Sequence, residues 1–248
     1  MNAARDLNDD DPPGAAARRL LRAVGGGVGL VMIGLLAGIV AARQPPDFYR
    51  AALAEAPAAA DIPAGAEPLA RRMVSKAAAL HAAAGRAGPW EAIVAESEVN
   101  AWLAVDLPRN HRGLLPAGVE APRVRFQPRR VAVAARMRAG PLAAVAWAEM
   151  EVWLQGVNQV GLKVAAAGLG SLPVPRDAML RHLAERLATA GLVTDLRRTQ
   201  HGLALVVSPP STYDAAAGNC HLESLAVAAG ELLVAGSTQQ PAQGTDGP

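Results

Sequence analysis

The central sheet of the protein is predicted from RVAVAARMRAGPLAAVAWAEMEVWL, residues 130–154. In its second half, apolar residues occupy every even position from Leu142 to Leu154, while the odd positions include Glu149 and Glu151. Successive side chains of a strand point to opposite faces, so this period of two predicts strands rather than a helix. Gly140-Pro141 divides the stretch and predicts a turn. The stretch therefore predicts an antiparallel hairpin with one buried and one wet face.

The turn also predicts the register of this hairpin. A two-residue loop at Gly140-Pro141 pairs residue 139 with residue 142, which sets Arg130 opposite Glu151. A cross-strand pair of opposite charges stabilises a sheet by a few tenths of a kcal/mol. Two neighbouring carboxylates, Glu149 and Glu151, are also compatible with acid–base catalysis. We favour a structural role for these carboxylates, because the predicted register already supplies Arg130 as a partner for Glu151.

The neighbouring sequence extends the hairpin into a larger domain. Alternating residues predict further strands before and after it, and two more hairpins follow near the C-terminus. Helical spacing and helix-breaking glycine and proline residues predict three helices, at 67–84, 97–105 and 176–189. The order of elements predicts an α+β fold over residues 67–236, in which an antiparallel sheet packs with about three helices.

A membrane anchor is predicted before this domain. Residues 24–42 carry no charge, and at ~1.5 Å per residue a helix of this length just crosses a ~30 Å hydrocarbon core. Arginines bracket the run and are more frequent before it, which predicts a cytoplasmic N-terminus. We therefore predict a disordered cytoplasmic tail at 1–22 and a transmembrane helix at 23–43. A cleaved signal peptide ending at Val40-Ala41-Ala42 is the alternative.

Two further segments flank the domain. Residues 44–66 are rich in alanine and proline and predict a stalk, with one short helix at 47–54. Phe48 and Tyr49 suit the outer membrane interface, where aromatic side chains are enriched. Residues 237–248 are polar and predict a disordered tail. Together these segments place the main domain in an extracytoplasmic compartment.

Composition argues against several classes of function. The net charge is +2, which gives no overall argument for nucleic acid as a partner. The five histidines are scattered, Cys220 is the only cysteine, and no metal-ligand spacing or phosphate-binding loop is present. We therefore predict no cofactor, no metal, no nucleic-acid partner and no enzymatic activity.

Arginines alternate along two of the predicted strands. Arg123 and Arg125 share one face of the first strand, and Arg136 and Arg138 share one face of the next. Anionic lipid headgroups are one partner for these four side chains. A solvated sheet face without a ligand is the simpler interpretation.

An apolar ligand site is predicted on the helix at 97–105. Ser97 is a suitable N-cap, and Val99, Trp102 and Leu103 then fall on one side of the helix. Together with Met150 of the sheet, they form the predicted walls of an apolar groove. The alternative is that Trp102 fills the hydrophobic core.

Two motifs resemble those of a known family. Glu96-Ser97-Glu98-Val99-Asn100-Ala101-Trp102-Leu103 resembles the "T/S-E-x-E-L-N-x-L-L" helix start of YpmS-like proteins, and Leu172-Pro173-Val174-Pro175 resembles their "G-x-L-P-L-P" turn. These are membrane-anchored extracytoplasmic proteins, similar to the LmeA-type proteins to which lipid binding is ascribed. The resemblance implies a curved sheet wrapped on long helices, with an apolar groove. It carries over no catalytic residues.

The sequence as a whole predicts a membrane-anchored extracytoplasmic binding module. Its ligand is expected to be a lipid or another apolar molecule of the cell envelope. The alternative is a scaffolding component that binds another envelope protein.

Overall fold

The described chain begins immediately after the predicted anchor. The computed structural model describes residues 44–55, 65–111, 115–140, 142–200, 202–208 and 219–239. The predicted cytoplasmic tail, the transmembrane helix at 23–43 and the tail residues 240–248 lie outside the described residues. Among the described helices, none has both the length and the apolar character needed to cross a bilayer.

Four helices and ten strands make up the described part of the chain. They are α1 (Asp47–Glu55), α2 (Ala66–Ala84), β1 (Gly88–Ala95), α3 (Glu96–Asn110), β2 (Val119–Gln127), β3 (Arg130–Ala139), β4 (Leu142–Gly156), β5 (Gln159–Leu169), β6 (Leu172–Pro173), α4 (Arg176–Thr189), β7 (Val193–Thr199), β8 (Gly202–Ser208), β9 (Asn219–Ala228) and β10 (Glu231–Gln239). All of the strand pairs are antiparallel. The predicted α+β class is confirmed.

The larger sheet is built around the predicted hairpin. Its strands lie in the order β2-β3-β4-β5-β8-β7, and β6 pairs with β5. The predicted register of β3 and β4 is confirmed, since Ala139 faces Leu142 and Arg130 faces Glu151. The Arg130 guanidinium lies 3.5 Å from the Glu151 carboxylate, and Lys163 approaches that carboxylate to 3.9 Å from β5. Glu151 is thus part of a cross-strand charge cluster.

One face of this sheet packs against α4. Its core contains Ala148 and Val164 of the central strands, Leu180 of α4 and Leu205 of β8. Met150 packs against the same cluster, as the alternation of β4 predicts for an apolar even position. Burial of these aliphatic side chains supplies the main hydrophobic stabilisation of this face.

Helix α1 covers part of the opposite face, which the sequence pattern predicted to be wet. Phe48 and Tyr49 pack against Ala132, Ala134 and Val145. Tyr49 is 1% exposed, and its hydroxyl donates a hydrogen bond to the carbonyl of Ala121 at 3.0 Å. Burial raises the pKa of this phenol above its ordinary value.

Two expectations are corrected by this packing. Residues 44–55 belong to the domain rather than to a stalk, and Phe48 and Tyr49 lie in a core rather than at a membrane interface. A nine-residue helix is marginal in isolation, so it depends on tertiary contacts. The small side chains of Ala132 and Ala134 leave room for the two aromatic rings.

A smaller sheet with the order β1-β10-β9 completes the fold. Strand β10 extends to Gln239, three residues beyond the predicted end of the domain at residue 236. Within this extension, buried Thr238 donates a hydrogen bond to the carbonyl of Ala84. Asn158, in the β4–β5 turn, joins this sheet to the larger one. Its side chain donates to the Cys220 carbonyl at 2.8 Å and accepts from the Leu222 amide at 2.6 Å.

Three of the four tryptophans lie directly across a strand pair from a glycine. The pairs are Trp90–Gly236, Trp147–Gly168 and Trp153–Gly161. A Cβ atom at Gly161 would lie 2.3 Å from the indole Cε2 of Trp153, which is well inside van der Waals contact. Each indole therefore packs on glycine backbone, and a side chain at these glycines would displace it.

Gly161→Ala should destabilise the domain because its Cβ collides with the Trp153 indole. Overpacking of this kind costs about 1–3 kcal/mol, and chemical denaturation followed by tryptophan fluorescence would measure it. Gly65→Ala is the matched control, since a Cβ there meets nothing within 4 Å. Equal denaturation midpoints for the two variants would contradict the proposed packing.

Candidate functional site

Helix α3 begins two residues earlier than its predicted N-cap implies. The N-cap is Ala95 rather than Ser97, and the Ala95 amide donates a hydrogen bond to the Glu98 carboxylate at 3.1 Å. The helix also continues through Pro108 to Asn110 instead of ending at the proline. Proline removes one amide donor, and this loss is small so close to the last turn.

Side chains of α3 occupy the outer edge of β2. The Asn100 carboxamide donates to the Val124 carbonyl and accepts from the Val124 amide, both at 2.9 Å. One turn earlier, the Glu96 carboxylate accepts from the Phe126 amide at 2.5 Å. These contacts satisfy backbone groups that would otherwise form an open sheet edge. They also fix the distance between α3 and β2.

Glu98 ties α3 to α2. Its carboxylate is 3% exposed and accepts a hydrogen bond from Lys76 at 2.7 Å. Burial alone would raise the pKa of Glu98. The hydrogen bonds from Lys76 and from the Ala95 amide outweigh burial, so its pKa lies below the ordinary value of 4.5.

A cavity of about 320 Å³ lies between α3 and β2. Its walls are mostly apolar and include Leu103, Ala104, Pro108, Leu115, Val119 and Pro122. Glu120, Arg123 and Arg136 contribute the charged groups. We call this space the α3–β2 cavity; it combines aliphatic walls with a net positive lining.

Arg123 is buried beside this cavity. It is 1% exposed, and its Nη1 donates a hydrogen bond to the Pro122 carbonyl at 2.8 Å. Burial lowers the pKa of the guanidinium. Arginine nevertheless keeps its charge in proteins. A buried cation is costly unless neighbouring groups compensate it.

The exposed position predicted for Arg123 is therefore wrong. Arg123 pairs with Ala134 in the register of β2 and β3, and it lies on the face that α1 covers. The other predicted headgroup contacts divide into two groups. Arg136 is half-buried and lines the α3–β2 cavity, whereas Arg125 and Arg138 are exposed. Arg138 forms an ion pair with Glu120 at 3.2 Å.

The predicted groove residues are not all brought together. Leu103 lines the α3–β2 cavity, but Val99 and Trp102 lie outside the lining formed by the described residues. Trp102 is half-buried and its ring lies 5.8 Å from that of His111. Met150 packs in the core beneath α4. Helical spacing placed Trp102 and Leu103 on one side, but the face that meets β2 is set by Glu96, Asn100 and Leu103.

Ala104, Pro108 and Val119 were missed as site residues because none carries a chemical signal in the sequence. Within the part of the chain that the structure describes, no group of three or more histidine, cysteine or acidic side chains could hold a metal ion. No protein-family model, curated protein or solved structure matches the chain. The resemblance to YpmS-like proteins thus stays a prediction.

Asn100→Leu should destabilise the domain because it leaves the Val124 amide and carbonyl without their side-chain partner. Each unsatisfied buried group costs about 1–3 kcal/mol, and thermal denaturation would report the loss. Asn110→Leu is the control, since exposed Asn110 bonds only to Asp106 of the same helix among the contacts described. A similar small effect in both variants would show that Asn100 does not hold α3 on β2.

Glu98→Gln should make stability less sensitive to acid. Because the folded-state pKa of Glu98 is lowered, its contribution is fully present above about pH 4.5 and is lost as the pH falls through the folded-state value. The difference in free energy of unfolding between wild type and variant should therefore shrink below pH 4.5. Denaturant titrations at pH 7 and at pH 3.5 would test this. Glu91→Gln removes an exposed carboxylate of β1 and serves as the control. If the difference in free energy of unfolding between wild type and Glu98→Gln grew in acid, the lowered pKa of Glu98 would be contradicted.

Proposed function

We propose that this chain is a membrane-anchored extracytoplasmic binding module, and that it holds an anionic amphiphile in the α3–β2 cavity. The single observation that carries this proposal is the buried Arg123 guanidinium beside mostly apolar walls. An acyl chain suits the walls, and an acidic headgroup suits Arg123 and Arg136. Specific sites commonly combine apolar lining with a few fixed polar groups in this way.

The size of the cavity limits the ligand. Its volume of about 320 Å³ lies near the lower end of the ~300–1,000 Å³ range of small-molecule sites. The cavity therefore accepts part of one acyl chain with its headgroup, rather than a complete two-chain lipid. The uncharged run at 24–42 supports the anchor, and the YpmS-like motifs support a curved sheet with a lipid as ligand.

Photolabelling tests this proposal. A fatty acid with a diazirine on its chain would be added to the full-length protein in nanodiscs and activated by light, and mass spectrometry would locate the adducts. Adducts should lie on peptides of α3 and β2 that include Leu103 and Val119. Leu103→Trp should reduce them several-fold because the indole fills the cavity. Adducts confined to residues 24–42 would overturn the proposal.

Two control variants sharpen the experiment. Val99→Trp places the same indole one turn earlier on α3, outside the cavity lining, and should leave labelling near wild type. Trp102→Ala should do the same, with only a modest change in melting temperature. Arg136→Gln should reduce labelling by the fatty acid but not by the corresponding fatty alcohol, because only the acid carries a charge.

Binding of another envelope protein is the second candidate function, and strand β7 favours it. Among the described strands, β7 is the last in its sheet and pairs with β8 alone. Val193 and Leu196 are exposed on it. An exposed edge of this kind accepts an additional strand from a partner. Photocrosslinks from Val193 to one envelope protein, abolished by Thr194→Pro, would support this function over amphiphile binding.

A further inference from the structure

The chain enters the domain at one end of the larger sheet. Gln44, the first described residue, accepts a hydrogen bond from the Ser171 hydroxyl at 3.2 Å. Pro45 lines a second cavity together with Ala143 and Ala144, at the start of β4. The Gly170 amide donates to the Val145 carbonyl at 2.7 Å and holds the β5–β6 turn beside β4. We call this end of the sheet, with the β3–β4 and β5–β6 turns, the entry end.

Large apolar side chains are exposed at the entry end. Met137 and Leu142 flank the β3–β4 turn and are 41% and 50% exposed, and Leu172 follows the β5–β6 turn at 39%. Residues at turns are usually small or polar, because turns face water. Exposed apolar residues grouped on one surface instead mark a site that meets a protein, a membrane or a ligand.

The α3–β2 cavity lies toward the same end. Val119 and Glu120 of its lining begin β2, where they pair with Met137 and Arg136 near the end of β3. Arg138, near the end of β3, forms an ion pair with Glu120 of the cavity lining. The exposed apolar residues, the arginines and the amphiphile site thus occupy one end of the sheet.

We propose that the entry end lies on the bilayer surface, with Leu142 and Leu172 in the interfacial region of the lipids. This inference rests on the anchor in the proposed function. Only Gln44, Pro45 and Pro46 separate the predicted anchor from α1, and three residues span at most ~10 Å. We choose the entry end because it is the part of the domain at which this short linker arrives. Amphiphiles then reach the cavity without crossing open water.

Site-directed spin labelling in nanodiscs tests this orientation. The full-length protein, with Cys220→Ala, would carry a single label at Leu142→Cys, Leu172→Cys or Val157→Cys. Val157 is the matched control, because it is 60% exposed and lies in the β4–β5 turn at the opposite end of β4. Leu142 and Gly156 are the two ends of the 15-residue strand β4, which spans roughly 45 Å.

The expected result is a difference between the two ends. For each label, the ratio of its collision rate with lipid-soluble oxygen to its collision rate with a water-soluble nickel chelate would be measured. This ratio should be several-fold higher at positions 142 and 172 than at position 157. Equal ratios at all three positions would overturn the orientation. The three labelling substitutions replace exposed side chains, whereas Cys220 is buried and its replacement is common to all three proteins. Tryptophan fluorescence would confirm that each protein is folded.

The orientation and the amphiphile site can fail separately. Lipid contact at 142 and 172 without photolabelling of α3 supports the entry-end surface and overturns only the ligand assignment. Photolabelling of α3 with water-like ratios at 142 and 172 overturns the orientation and leaves the amphiphile site in place.

Discussion

The carboxamide of Asn100 substitutes for a missing neighbouring strand along the outer edge of β2. It pairs with both backbone groups of Val124, while Glu96 pairs with the next outward-facing amide. A sheet edge buried under a helix must have its polar groups satisfied, because each unpaired group costs more than an ordinary hydrogen bond contributes. This constraint sets the position of α3, and with it the α3–β2 cavity and the packing of α2 through Glu98 and Lys76.

Asn158 solves a related problem at the other sheet. Its side chain pairs with the backbone of β9 where the register of β9 and β10 shifts, and so joins the two sheets. Asparagine suits both places because its amide carries a donor and an acceptor in the geometry of a peptide group. The positive φ of Asn158 also places it in a turn that few other residues tolerate. The two sheets are therefore held by specific polar pairs as well as by apolar packing.

The larger sheet has chemically different ends. One end holds the entry of the chain, the exposed apolar side chains beside two turns, and the α3–β2 cavity. At the other end, the charged pair of Arg130 and Glu151 lies beside Trp153 around a more polar cavity of about 520 Å³. The proposed orientation on a bilayer requires an asymmetry of this kind, with one end toward lipid and the other toward water. The core under α4 lies between these ends and keeps them apart.

Local sequence patterns predict the strands of the larger sheet, apart from the two-residue β6, and the register of its central hairpin. Alternation in residues 130–154 and a two-residue turn were enough, since strand periodicity and turn geometry are local properties. Long-range packing determines that α1 covers one sheet face, that Arg123 is buried there, and that Leu103 rather than Trp102 or Met150 lines the cavity. These features depend on which surfaces meet across tens of residues, and no local period in the sequence records such contacts.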